Sequence, residues 1–299
     1  MYKILFIINP ISGFGLGKEL PSRLKRMEEY RTVAYEVEFT EYPGHAAEIT
    51  RKAIQKDYTH IVAVGGDGTV NEVGCVMRGT DIAFGVVSLG SGNGFARHLG
   101  FSLRMSKALS QLLHSPITRI DMIEINGIYS LNVSGIGFDA EVASFFNTMK
   151  IRGIFSYLYS IVRIWFRYPV RRYTFRVGET TWEEECFVLS FANSPQYGYN
   201  ASIAPKASLR DGLLDICILK RPKCYQIPRF LYCFGNNKIG KLPYFREIQC
   251  EEAVIEGDIS RVHIDGNPCT LESPLHLKIH ANVFKVVVPK LAGEKISEV

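Results

Sequence analysis

A doubly wound, mostly parallel α/β sheet with helices on both faces, followed by an all-β, sandwich-like domain, is the architecture this sequence predicts. Three observations support it. Strand and helix signals alternate up to about residue 125, the rhythm of parallel strands joined by crossover helices. Strand signals then dominate, interrupted chiefly by a helical stretch over 145–166, which favours a sandwich or barrel. Finally, at 299 residues the chain sits at the upper limit of what one hydrophobic core organises, roughly 250–300 residues. The change of rhythm divides the chain into domains 1–122 and 123–299, with a last strand that can join the first domain.

The elements follow in order. Residues 3–8 form an apolar strand that ends at Asn9-Pro10, and a glycine-rich turn leads to a helix over 18–30. A strand over 32–40, a helix over 44–56 and a short buried strand over 60–64 come next. A helix opening at Asn71 and running to 77, a strand over 82–87 and a helix over 105–113 complete the first domain. Strands are expected over 119–125, 128–133, 173–177, 186–192, 214–219, 249–255, 261–264 and 275–279, with another over 283–288. In open α/β sheets ligands sit beyond the carboxyl ends of the strands. The turns at 12–17, 65–68 and 90–94 each follow a strand, so all three can meet at one edge.

Composition narrows the function classes. Apolar residues make up 46% and charged residues 22%, as in ordinary soluble domains. A net charge of +5 from 35 basic and 30 acidic residues gives no concentrated stripe for nucleic acid. The N-terminal segment lacks the pattern of a signal peptide, and no run reaches the ~18 apolar residues of a membrane span. A cytoplasmic location is the expectation. The seven cysteines are scattered without a Cys-x-x-Cys pair and read as reduced thiols. His276 and His280 lie on a strand, where four-residue spacing does not imitate a helical metal pair.

The run Gly65-Gly66-Asp67-Gly68-Thr69 carries the most chemistry. Glycines after a buried strand let main-chain amides close on an anion, and the acid between them can reach a metal or a hydroxyl. Ser12-Gly13-Phe14-Gly15-Leu16-Gly17-Lys18-Glu19 fails both the Walker A and the dinucleotide spacing; alone it fits a flexible turn as well as a phosphate loop. Gly90-Ser91-Gly92-Asn93-Gly94 offers close approach together with short polar groups suited to a base or ribose.

Asn9-Pro10-x-Ser12-Gly13, Thr40-x-x-x-Gly44-His45-Ala46, Gly65-Gly66-Asp67-Gly68-Thr69-x-Asn71-Glu72 and Gly90-Ser91-Gly92-Asn93-x-x-Ala96-Arg97 together resemble the diacylglycerol kinase and sphingosine kinase catalytic-domain family, including its bacterial soluble lipid kinases. Gly137-Phe138-Asp139-Ala140, Ala204-Pro205-x-Ala207-x-x-x-Asp211-Gly212-x-Leu214-Asp215 and Ile264-Asp265-Gly266 look like that family's later blocks. The resemblance implies ATP-dependent, magnesium-assisted phosphorylation of a lipid hydroxyl such as that of diacylglycerol or a sphingoid base. It makes 1–122 the nucleotide domain and 123–299 the acceptor domain. It also implies a nucleotide site of Asn9, Pro10, Ser12, Gly13, Thr40, Gly65, Gly66, Gly68, Thr69, Glu72, Gly90, Ser91, Gly92 and Asn93. By the same likeness Asp67 serves the phosphate and magnesium end, and Asp265 stands near the acceptor hydroxyl. These roles agree with phosphoryl transfer as positioning plus charge neutralisation, with a carboxylate able to accept the hydroxyl proton.

Two departures stand out. Asn93-Gly94 replaces the usual Asn-Asp, which is closer to sphingosine kinases. Asp265-Gly266-Asn267 stands where the family commonly reads Asp-Gly-Glu, and asparagine cannot accept a proton as a carboxylate does. Asp211 and Asp215 fit turn capping or a divalent metal site, and spacing leaves both open. Residues 150–172 contain Lys150, Arg152, Arg163, Arg167, Arg171 and Arg172 and no acid. The segment fits a core helix with a basic end, or a transient contact with an anionic membrane surface. A homodimer is compatible with the sequence. Two other functions remain open: an NAD kinase-like enzyme with a polar substrate, and a weakly catalytic nucleotide- or lipid-binding protein.

Overall fold

The structure is a computed structural model that describes residues 2–149, 154–198, 201–259 and 261–290. Residues up to Ile120 together with those from Asn282 onward make one compact unit, and Asp121–Ala281 makes a second. The chain passes between them within two strands.

In the first unit the expected alternation is present as β1 (Lys3–Ile8), α1 (Leu20–Arg26), β2 (Ala34–Phe39), α2 (His45–Ala53), β3 (His60–Gly65), α3 (Asp67–Val76), β4 (Ala83–Ser88), α4 (Gly94–His98) and α5 (Met105–His114). β5 (Ile117–Ile125) then leads into the second unit. Strands β1 to β4 are parallel in the order β2-β1-β3-β4. Sequence neighbours β1 and β2 pair on one side and β3 and β4 follow on the other, so the order reverses between β1 and β3. Such a reversal is where two strand ends splay their connections apart and leave a crevice. β1, β3 and β4 bury almost every residue, as strands covered on both faces do.

Two expectations for this unit change. The helix over 18–30 is shorter: a 3-10 stretch, Ser12–Glu19, precedes α1, because Gly13, Phe14 and Gly15 all take left-handed backbone values. The helix expected to open at Asn71 instead starts at Asp67. Glycines 66 and 68 weaken the helix signal, but Asp67 sits at the positive end of the helix dipole and offsets that cost.

The second unit contains β6 (Ile128–Ser130), β7 (Val133–Gly137), α6 (Phe138–Thr148), α7 (Ile154–Trp165), β8 (Arg171–Val177), β9 (Thr180–Cys186), β10 (Val188–Ala192), β11 (Gln196–Gly198), β12 (Ala201–Ser202), β13 (Leu214–Leu219), α8 (Ile227–Gly235), β14 (Phe245–Cys250), β15 (Glu252–Gly257), β16 (Val262–Ile264) and β17 (Asn267–Cys269). β18 (Leu275–Val287) carries the chain back to the first unit. One antiparallel layer runs β18-β15-β8-β9, the other β14-β13-β10-β7-β16-β17. Alternate residues of each, among them Phe175, Ile255, Leu277, Leu189, Phe191, Leu214 and Ile216, form one buried cluster between the layers, which makes this a sandwich. The other face of the second layer, through Val188, Ala192, Cys217 and Leu219, is covered by side chains of α6, α7 and α8.

The single helix expected over 145–166 is two, α6 and α7; Lys150 and Arg152 lie outside the described residues. The strand expected over 249–255 is β14 and β15, belonging to different layers. Conversely, the strands expected over 275–279 and 283–288 are one strand, β18, carried through Asn282 at a positive φ of 55°, which asparagine tolerates better than most residues.

Candidate active site

The loops leaving β1, β3 and β4 converge within the first unit. The Asn9 amide donates to the Val64 carbonyl at 2.9 Å, and the Leu89 amide to the Gly65 carbonyl at 2.7 Å. Gly66 and Gly90 lie so close that a Cβ on Gly90 would come within 2.7 Å of the Gly66 Cα. Only glycine allows that approach. Asn93, at φ 53°, turns its side-chain amide onto the Gly90 carbonyl at 2.8 Å, closing the loop before α4.

Asp67 ties the loop after β3 to the loop after β4. Its Oδ2 accepts from the Asn93 amide at 2.9 Å and its Oδ1 from the Gly94 amide at 3.0 Å. One carboxylate thus sits in the first turn of α3 while holding the start of α4. Each oxygen of an ionised carboxylate accepts more than one hydrogen bond. Arg97 Nε donates to the Gly92 carbonyl at 3.1 Å, placing a guanidinium beside the same loop; sequence reading quoted Arg97 only as part of a block.

The other residues expected at a nucleotide site lie at the ends of the parallel strands and on α3. Asn9 reaches the buried Thr69 hydroxyl at 3.4 Å, and its Oδ1 accepts from the Ile11 amide at 3.2 Å. The Thr40 amide donates to the Ile8 carbonyl, fixing the end of β2 against β1. Glu72, one turn into α3, accepts from the Gly44 amide at 3.1 Å. Pro10, Ser12 and Gly13 follow β1, and Ser91 and Gly92 cap the loop after β4. A Cβ on Gly92 would lie 3.1 Å from Asp67 Oδ2, so bare backbone faces the carboxylate. Glycine floors, amides and one carboxylate are a donor set suited to magnesium and a polyphosphate.

The second unit holds a separate arrangement. Asp265, at φ 49°, accepts from the Ser130 hydroxyl at 2.7 Å and from the Leu131 and Asn132 amides at 2.9 Å each. Its own amide donates to Ser134 Oγ. This carboxylate anchors the β16–β17 turn to the end of β6, while Asn267 is exposed just beyond it.

Behind the turn lies a cluster that sequence reading missed. The Gly266 amide donates to His263 Nδ1 at 3.3 Å, which leaves Nε2 as the protonated nitrogen, donating to Asp139 Oδ2 at 3.1 Å. Tyr197 OH donates to the same oxygen at 2.9 Å, and Ser190 Oγ lies 3.2 Å from it. Asp139 belongs to a quoted block, but His263 is 124 positions away, and no local spacing joins them.

Asp211 and Asp215 are separated by their environments. Asp211 is exposed on a turn, where Oδ1 accepts from the Leu213 amide at 3.1 Å; its carboxyl is raised by partial burial and by Asp121. Asp215 is wholly buried in β13. Burial, with the Glu247 and Asp211 carboxylates beside it, pushes its carboxyl up to about 8. Asp121, also buried, accepts from the Gly212 amide at 2.7 Å. Among the described residues no group of three or more His, Cys, Asp or Glu side chains has the geometry to hold a metal.

Comparison with known proteins agrees with this architecture. Residues 3–125 match the diacylglycerol kinase catalytic domain, and residues 132–288 match the YegS C-terminal, NAD kinase beta sandwich-like domain. A Chromohalobacter salexigens protein named "Probable lipid kinase YegS-like" is 30% identical over 239 residues, covering 77% of this chain and 76% of that one. A protein of the same name from Pseudomonas aeruginosa strain PAO1 is 33% identical over 186 residues, but the match spans 60% of this chain and only 61% of the relative. The crystal structure of a diacylglycerol kinase from Bacillus anthracis strain Sterne has the same fold, with a TM-score of 0.72 at 19% identity over 96% of both chains. The chain belongs to the YegS-like lipid-kinase family, with its diacylglycerol kinase catalytic domain followed by the YegS-type sandwich domain.

Proposed function

We propose that this protein transfers the terminal phosphoryl group of ATP to a hydroxyl of a lipid such as diacylglycerol or a sphingoid base. The observation that carries the reading is the joining of the 65–68 and 90–94 glycine loops by Asp67, beside the loop that leaves β1, at the switch point of a parallel sheet. Magnesium, when bound with ATP, supplies neutralisation of the phosphate charge. The chain's own part is positional. Asp67 is the carboxylate for the phosphate and metal end, and the 65–68 and 90–94 loops offer close backbone approach. Asn9, Ser12, Thr40, Ser91 and Asn93 supply short polar groups for the nucleotide.

On the acceptor side Asp265 holds the β16–β17 turn through three accepted hydrogen bonds, and Asn267 stands exposed beyond it. Asparagine orients a hydroxyl by hydrogen bonding but takes no proton at neutral pH, so transfer here proceeds without a carboxylate at that position. This supports a second reading, slow turnover with tight nucleotide binding. Asp211 remains a candidate divalent ligand beside the 208–213 turn; the complete burial of Asp215 suits it to packing against Glu247.

We also read the acid-free stretch around α7 as the contact with a membrane surface. Tyr159, Val162 and Phe166 are 51%, 59% and 76% exposed, with Arg163 and Arg167 exposed among them, a pairing suited to the interface of an anionic bilayer. No helix among the described residues is long and apolar enough to cross a membrane. A cytoplasmic protein peripheral to the inner face follows from this reading.

The test is incubation of the purified protein with ATP, magnesium and a total lipid extract, followed by mass spectrometry, with NAD in a parallel reaction. A phosphorylated lipid is expected. Phosphorylated NAD without a lipid product would replace this reading with the polar-substrate one. ATP binding without either product would leave the slow, binding-protein reading standing.

A further inference from the structure

α8 departs from the chemistry of an ordinary surface helix. It buries Cys233 and half-buries Phe230 and Phe234, whose rings stack at 5.5 Å. The opposite face of such a helix normally carries charged and polar groups. Instead α8 turns Pro228, Leu231 and Tyr232 outward, with Leu231 59% and Tyr232 58% exposed. Tyr225, just before it, is 75% exposed. Arg229 is the helix's one charged residue.

The chain segment that contains α8 carries charge of a single sign. From 216 to 246 the sequence holds Lys220, Arg221, Lys223, Arg229, Lys238, Lys241 and Arg246 and not one acid. Lys220 and Arg246 pair with Glu184. Lys223, Arg229, Lys238 and Lys241 are exposed around the apolar ridge, and the Lys238 ammonium lies 5.4 Å from the Tyr232 ring centre. Exposed aromatic and aliphatic side chains ringed by cations match the apolar edge and anionic headgroups of a bilayer. A second copy of the same surface is a poor match, because a two-fold contact would set these like charges against each other.

α8 is also tied to α7. Phe230 packs on the same buried cluster as Ile161, Ile164 and Trp165 of α7. Arg221, on the segment between β13 and α8, donates to the Trp165 carbonyl at 2.6 Å and the Tyr168 carbonyl at 3.5 Å. Both helices therefore belong to the layer that covers one face of the second sheet.

We propose that α8 and the turn before it form a second docking ridge for an anionic lipid bilayer, acting together with α7. The inference rests on the membrane reading of α7 and adds to it: one helix can roll on a surface, whereas two fixed to each other set an orientation. Co-sedimentation with vesicles tests it, using phosphatidylcholine alone or phosphatidylcholine mixed with phosphatidylglycerol. The full chain is expected to bind the mixed vesicles, to bind phosphatidylcholine poorly, and to be released by high salt. Leu231→Ser with Tyr232→Ser is expected to weaken binding about tenfold, and Lys223→Glu with Arg229→Glu by at least as much. Because these side chains are exposed, the thermal midpoint should stay at its wild-type value.

Unchanged binding of both α8 variants, with loss in Val162→Ser plus Phe166→Ser, would overturn the α8 inference and leave α7 standing. Unchanged binding of all three would overturn both. A doubled mass in light scattering that the Leu231/Tyr232 variant abolishes, without vesicle binding by the wild type, would assign the ridge to self-association instead. Vesicle binding requires no turnover, so failure of the kinase reading does not affect this measurement.

Discussion

Each unit of this protein holds an aspartate wrapped in hydrogen-bond donors, and the segments that supply the donors differ. Asp67 accepts from the amides of Asn93 and Gly94, at the end of a loop built of glycines. Asp265 accepts from Ser130, Leu131 and Asn132, a segment with buried side chains and no glycine. Both carboxylates accept from two main-chain amides, and Asp265 takes the buried Ser130 hydroxyl as well, which ties it to packed side chains. On the proposed function, Asp67 serves the phosphate and metal end, and Asp265, which also holds the β16–β17 turn, stands near the acceptor hydroxyl.

The largest effect separating them is expected from Asp67→Asn. Phosphoryl transfer should fall by about 100-fold or more, in the range seen when a preorganised electrostatic contact is removed, while the thermal midpoint moves by only a few degrees. Turnover at the wild-type rate would end the special status of Asp67. Next comes Asn267→Glu, which restores a proton acceptor beyond the anchored turn and should raise turnover at least about tenfold. No gain across a panel of lipids would show that the turn has adapted to asparagine. Asp265→Ala should act on stability first, by roughly 3 kcal/mol, since it leaves several donors unpaired. Urea unfolding reads this out, and full stability with lost activity would reverse the contrast.

The smallest effects concern pH, and the units are expected to respond in opposite directions. Burial holds the His98 imidazole of the first unit at about 4, below its usual 6.5. It resists protonation when folded, so its contribution is complete above about 6.5 and is lost as pH falls toward 4. Asp215 of the second unit is raised from 3.8 to about 8. Across that window the unfolded chain releases its proton first, so stability falls as pH rises. Asp215→Asn should remove the fall in stability between about pH 4 and 8, and His98→Gln the rise between about pH 4 and 6.5, each read from denaturant midpoints at several pH values. A profile unchanged by either variant would sever the link between burial and titration.

Much of this was legible in the sequence. Parallel strands covered on both faces read as apolar runs, so β1, β3 and β4 were placed closely, and the glycine turns announced where they end. What escaped depended on partners far along the chain. β9 reads Thr-Thr-Trp-Glu-Glu-Glu-Cys, a polar string whose strand is secured by Trp182 stacking on Phe175 at 5.1 Å. α8 hid behind Pro228 and a run of aromatics that favours strands by composition. The start of α3 was masked by glycines whose poor helix propensity is offset by Asp67. The Asp139–His263 cluster exists only once β7, β10 and β16 are paired.

β18 sets the order in which the first unit is completed. Its Val286 pairs in parallel with Phe84 of β4, and the Phe284 ring lies 5.1 Å from that of Phe84. β4 is made before the sandwich and its neighbour after it, so the open edge of β4 waits through the translation of the sandwich. During that interval the edge is a ready template for pairing with other chains. Closure of the first unit therefore waits for β18, and ribosome-stalled chains ending before Phe284 should be cut by protease within the first 120 residues far faster than chains that include β18.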